Sequence, residues 1–172
     1  CYLADVAGLY RLPERLFLFL FVFDLNSLAA RKNPAAVVEA FRCVVSKNPA
    51  TGLVLKTHNM SRNAADSARL REQIAGLPNV FLIDHTLSRH HVYELMACCD
   101  AFVSLHHAEG FGLCVAEAMF MGKPVVSTDW MMSAPDWPST MVWCALATTA
   151  QRPSASPPTC HSSHRGRPGS RR

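Results

Sequence analysis

No apolar run in this chain is long enough to cross a membrane. The longest strongly apolar stretch, Leu16–Phe23, has eight residues, against the ~20 that a spanning helix needs. It does not read as a secretory leader either, because Glu14 and Arg15 stand directly before it and no cleavage-type segment follows. The seven cysteines form no Cys-x-x-Cys pair, and their odd, scattered placement suits a reducing compartment better than a disulfide framework. Cys43, Cys98, Cys99 and Cys114 fall within apolar helical patterns, where a thiol acts as a small hydrophobe. These absences predict a cytoplasmic protein, with at most a peripheral contact at the inner membrane face.

A uniform positive charge is also missing. The formal net charge is +4, but residues 1–150 carry −1 and residues 151–172 carry five arginines and no acid. The basic character belongs to the end of the chain, so the body is not predicted to bind nucleic acid. Histidines at 85, 90, 91, 106 and 107 lack any His-x-x-x-His spacing, and no metal site is predicted.

What is present is an alternation of short apolar runs and helical periods over 172 residues, enough for one domain with an appendage. Strands are predicted at Leu16–Phe23, Gly52–Lys56, Val80–Ile83, Ala101–Leu105 and Pro124–Ser127. Helices are predicted from Asn33–Pro34, from Ser61 to about Ala75, from the cap at Ser88, and from about Gly112 to Met121. Asn33 with Pro34 makes a cap and first-turn pair, and Gly76 and Gly122 stand where helices end. Strand, helix, strand repeated four times implies a parallel sheet with helices on both faces. Ligands of such sheets lie outside the carboxyl ends of the strands. The predicted boundaries are a linker over 1–15, an α/β domain over 16–150 with its pattern clear to about 129, and a disordered Arg/Ser/Pro-rich tail over 151–172.

One of those strand-end loops carries EGFGLCVAE, residues 109–117. Gly110 and Gly112 let a ligand approach the backbone, and the amides of residues 110–113 open a helix, a ready anion site. Glu117 shares a helical stripe with Leu113, Phe120 and Met121. Buried there without a partner it would cost several kcal/mol, so a hydroxyl-rich ligand is one solution. The other is that Glu109 complements the helix dipole and Glu117 is solvated; the spacing alone leaves both open.

The longer segment SLHHAEGFGLCVAEAMFMGKPVVSTD resembles the signature of retaining glycosyltransferases of the GT-B fold, the large family-four group. RKNPAAVVEAF and LPNVFLIDHTLSRHHVYELMACCDAFVSL resemble that family's segments upstream, in order, over roughly residues 16–129. The resemblance implies the Rossmann-like carboxyl-terminal half of a GT-B fold, with a nucleotide-diphosphate sugar as donor substrate and no metal or other cofactor. Glu117 matches the residue that binds ribose, and Glu109 the one that contacts the donor sugar. The amides of Gly110, Phe111, Gly112 and Leu113 match those facing sugar and diphosphate. Lys32 matches the diphosphate lysine, which would stabilise the leaving group. Asp84, His85 and Thr86 match the segment lying against the base. Where the family often has a second diphosphate cation, an arginine after the first strand, this chain has Asp24 in the longer loop DLNSLAARK, and Arg31 is the candidate replacement.

The implied function is transfer of a sugar, with retention, to an unidentified acceptor such as a glycan or lipid-linked glycan. The family's amino-terminal acceptor domain is missing from this sequence, which predicts a fragment inactive on its own. A nucleotide-sugar-binding module or inactive remnant without catalysis, and a nucleotide-sugar epimerase of the same fold, are the alternatives. After about residue 130 the composition departs from the family's pattern as abruptly as a shift of reading frame would make it.

Overall fold

The computed structural model describes residues 8–26 and 29–128. The expected tail over 151–172, the departure after about 130 and the first seven residues of the expected linker lie outside the described residues. Five strands, β1 (Phe17–Val22), β2 (Thr51–Thr57), β3 (Val80–Asp84), β4 (Ala101–Ser104) and β5 (Val125–Ser127), form one sheet. Their order is β3-β2-β1-β4-β5 and every pairing is parallel. The helices are the single turn α1 (Ala29–Lys32), then α2 (Pro34–Lys47), α3 (Ala64–Ile74), α4 (Arg89–Cys98) and α5 (Leu113–Phe120).

The Phe/Leu alternation of β1 serves two cores at once. Leu18 and Leu20 face one, with Val54, Ile83, Leu95, Met96, Phe102, Val115 and Val125. Phe21 and Phe23 face the other, with Val37, Val38, Phe41, Val45, Leu53, Leu55 and Leu70. Each such large side chain, fully buried, stabilises the fold by about 1.5–3 kcal/mol. The helices divide accordingly: α2 and α3 cover one face, α4 and α5 the other. The chain first winds outward from β1 to β2 and β3, then returns across the sheet to β4 and β5. With right-handed crossovers, that reversal puts the later helices on the opposite face. The carboxyl ends of β1 and β4 therefore diverge into a crevice at the point where the strand order reverses.

Local signals act where the sequence places them. Ser88 caps α4 by accepting from the His91 amide, and Asn33 caps α2 by accepting from that of Ala36. Gly52 lies close under its neighbours: a Cβ there would fall 2.8 Å from Leu18 Cδ2, and that side chain would have to shift to admit it.

Three expectations are corrected. The helix expected from Ser61 begins as a 3-10 turn, Met60–Arg62, and becomes α3 only at Ala64, because Asn63 stands between them in a non-helical conformation (φ −126°, ψ 62°). Cys43, expected to act as a small hydrophobe, is exposed on α2. The segment expected to be a linker contributes Leu12 to the core, with Tyr10 against it.

Candidate functional site

At the crevice, α1 delivers two cations from the loop after β1, and the loop after β4 delivers a carboxylate. Lys32 Nζ donates to Glu109 Oε2, and Arg31 Nη1 lies 3.3 Å from the same oxygen. The loops are stitched together by backbone contacts. The His107 amide donates to the Arg31 carbonyl at 2.9 Å, Arg31 Nη1 to the Ala108 carbonyl at 3.1 Å, and Asn33 Nδ2 to the Leu105 carbonyl at 2.9 Å. Asn33 makes its two contacts from a left-handed conformation (φ 53°), which asparagine tolerates better than most residues. Adjacent side chains at a turn seldom point together, yet here Arg31 and Lys32 converge. The short α1 turn and the carbonyl contact to Ala108 hold Arg31 in place beside its neighbour.

Burial pushes the Glu109 carboxyl up, but the Lys32 hydrogen bond and the charges of Lys32 and Arg31 outweigh it and hold the group below the ordinary glutamate range. Glu109 is therefore ionised at neutral pH. His106 is fully buried beneath this cluster. Its Nδ1 lies 3.0 Å from Ser104 Oγ, and Nε2 has no hydrogen-bond partner among the described residues. Burial, opposed by the nearby Glu109 charge, leaves the imidazole with a lowered pKa, hence neutral.

Gly112 turns the chain into α5 at φ 68°, and the first-turn N–H groups of that helix have no intrahelical acceptor. Gly110 is in no such conformation, and a Cβ built there would meet nothing within 4 Å. The protein's own packing does not demand this glycine, and its absence of side chain leaves room in front of the loop. Phe111 and Leu113 are exposed.

Glu117 stands one helical turn further along α5. The stripe expected around it is not a buried one: Phe120 is 93% exposed and Leu113 51%, while Val115 and Ala118 face the core. Glu117 itself is largely covered because α4 supplies partners. Arg89 and Tyr93 both donate to Oε1, the tyrosine at 2.9 Å. No ligand is needed to offset the burial of this carboxylate, which corrects the argument made from the stripe. Oε2 makes no hydrogen bond among the described residues, and the residue lines an open hollow of about 490 Å³ with Tyr93, Ala116, Phe120 and Met121. His85 and Thr86 are exposed in the loop after β3, with Asp84 half-buried at the strand's end.

The crevice thus gathers Arg31, Lys32, Glu109 and His106, while Glu117 belongs to a neighbouring group with Arg89 and Tyr93. Among the described residues no three potential metal ligands come together, and no helix is long and apolar enough to cross a membrane. Sequence reasoning missed Arg89 and Tyr93, which carry no motif. It also missed the cluster in which Asp24 meets Asn59 Nδ2 (2.9 Å), the Asn26 amide (2.9 Å) and His58 Nε2 (3.3 Å). Lys56 was legible only as the end of a strand; a lone charge closing an apolar run at a carboxyl end was the signal.

The model of the family described as "Glycosyl transferases group 1" matches residues 17–141, most of the chain and all five strands. The chain belongs to this glycosyltransferase family. The match runs past Asp129, where the strand–helix alternation of the sequence stops. No curated protein matches the sequence. Among solved structures, similarity extends to a glycosyltransferase from Rickettsia africae, at TM-score 0.63 and 17% identity over 77% of this chain and 34% of that one. The carboxyl-terminal domain of the group 1 protein LpcC from Francisella tularensis gives 0.60 and 21%, over 72% and 63%. HepE from Anabaena, solved with UDP and glucose, gives 0.59 and 21%, over 74% and 34%. At these identities the likeness shows the fold, that of the carboxyl-terminal domains of GT-B glycosyltransferases. The chain spans less than two thirds of the length of each.

Proposed function

We propose that this glycosyltransferase-family chain is the nucleotide-sugar-binding half of a retaining enzyme of the family-four group. The observation that carries the reading is the convergence of Lys32, Arg31 and Glu109 where the strand order of the sheet reverses, in a chain the group 1 model matches. When a sugar leaves a nucleoside diphosphate, the bond from anomeric carbon to phosphate oxygen breaks and negative charge grows on the diphosphate. Lys32, with Arg31 beside it, supplies fixed positive charge there, and the first-turn amides of α5 add their dipole. Charge held in place before the reaction costs little reorganisation during it. Glu109, ionised and joined to both cations, sits where it can also accept hydroxyls of the donor sugar. Glu117, oriented by Arg89 and Tyr93, turns its second oxygen to the ribose. His85 and Thr86 lie against the base.

In this reading no metal is required, because the cations and amides neutralise the diphosphate. The acceptor, a glycan or a lipid-linked glycan, is bound by a further domain, and the enzyme works in the cytoplasm. Support for the donor class comes from HepE, a structural relative captured with UDP and glucose.

A panel of labelled nucleotide sugars offered to the chain tests the reading. Binding with transfer only when an acceptor-binding partner is added supports it. A changed sugar with no acceptor points to an epimerase. Binding that never leads to transfer, whatever partner is supplied, points to a module without catalysis, and no binding of any nucleotide sugar overturns the proposal.

A further inference from the structure

Among the described residues Lys56 is the one lysine in the sheet, and the site described above leaves it unused. Along β2, Val54 points to the core under α4 and α5, so Lys56, two residues on, points to the same face. It pairs in register with Val22 of β1 and Ile83 of β3. Carried on by two residues, the β1–β4 register sets Val22 level with Ser104, to which His106 is joined. Lys56 and His106 therefore flank Val22 on one face of the sheet, at its carboxyl end.

Both groups are buried with hydrogen-bonding capacity unspent. Lys56 is 3% exposed, and its ammonium donates once, to the Thr57 carbonyl at 2.8 Å. The other two N–H bonds have no acceptor among the described residues. His106 is fully buried, with Nε2 free. Burial pushes the Lys56 ammonium pKa down, and Asp84 and Asp24 oppose this only in part; neither forms an ion pair with it, and Asp24 already holds Asn59, His58 and the Asn26 amide. A buried charge without its acceptors is costly unless something else supplies them.

Cys114, at the start of α5, relates Lys56 to the crevice. This first-turn residue of α5 feels Lys56 as well as Lys32 and Glu109, so one lysine from β2 and one from α1 come toward the start of the same helix. We infer that Lys56 is a second cationic contact for the phosphates of a bound nucleoside diphosphate, with His106 Nε2 as a neighbouring hydrogen-bonding group. The inference rests on the donor site proposed above and adds a residue to it. Phosphate oxygens fit because they accept several hydrogen bonds at once and carry the charge an unpaired ammonium lacks.

The test is calorimetric titration of UDP, GDP and uridine into the full 172-residue chain and its Lys56→Met variant. Methionine keeps the unbranched apolar stem while removing the ammonium group. UDP or GDP affinity should fall by about tenfold or more, as for a lost charged hydrogen bond, with uridine binding unchanged. Independently of how the variant folds, the Lys56 side-chain resonance of the wild-type protein, labelled at Cε, should move on adding UDP or pyrophosphate and stay still with uridine. A folded variant that binds UDP as the wild type does, or a Lys56 signal unmoved at saturating UDP, overturns the assignment while leaving the donor site standing. A wild-type chain that binds neither diphosphate overturns the donor site itself, and this inference with it.

Discussion

Replacing Glu109 by glutamine keeps the shape of the side chain and removes the charge that Lys32 and Arg31 share. The pair with Lys32 is well covered, at 18% and 16% side-chain exposure, while Arg31 is 34% exposed and correspondingly screened. The loss of stability at pH 7 should therefore lie between that of an exposed pair, ~0–1 kcal/mol, and a fully buried one, ~3–5 kcal/mol, at about 1–2 kcal/mol. For a domain of this size that lowers Tm by about 3–10 °C. The pH dependence follows from the lowered carboxyl pKa. A carboxyl that binds its proton more weakly when folded adds its full stability above the ordinary value of 4.5. It loses that stability as pH falls through the lower folded value. Thermal melts of wild type and E109Q should thus differ most at neutral pH and converge in strong acid, below the folded pKa. Raised salt should narrow the neutral-pH gap only in part, because covered pairs are screened less than exposed ones. Equal Tm values at neutral pH would refute the claim that the charge matters. A gap unchanged in strong acid would show that glutamine disturbs packing instead.

Three further outcomes are expected. Glu117→Ala should weaken UDP or GDP binding by about 1–3 kcal/mol in calorimetry, the cost of an unmatched polar contact, and unaltered binding would remove the ribose role. Lys32→Ala should weaken nucleoside diphosphates by about ten- to a hundredfold and spare the nucleosides; equal losses for uridine and UDP would make the lysine merely structural. Acidification should destabilise the fold through His106: its folded pKa lies below the ordinary 6.5, so the unfolded chain binds more protons and stability falls as pH drops through that value. His106→Gln should flatten this part of the stability profile in melts from neutral to mildly acidic pH.

The alternation that organises the fold was legible because it follows from local chemistry. An eight-residue Phe/Leu run cannot leave either face in water, so β1 had to be central, and Asn33, Ser88, Gly112 and Gly122 mark turns that few other residues make. The crevice residues Lys32, Arg31 and Glu109 were legible through a motif, not through physics: they stand 77 and 78 positions apart, and nothing in their spacing says that α1 meets the loop after β4. That contact is created by the order of the strands, which sets β1 beside β4, and by Asn33 reaching the Leu105 carbonyl. Glu117 shows the opposite failure. Helical periodicity correctly placed it beside Leu113 and Phe120, but periodicity alone does not say which stripe faces the core. With Val115 and Ala118 turned inward, the stripe of Glu117 faces α4 and solvent, where Arg89 and Tyr93 from 28 and 24 residues upstream already satisfy it. A carboxylate on an apolar helix is therefore no evidence for a ligand until the neighbouring helix is known. Lys56 is stronger evidence, because a lysine held between β1 and β3 keeps two of its three N–H donors without an acceptor among the described residues.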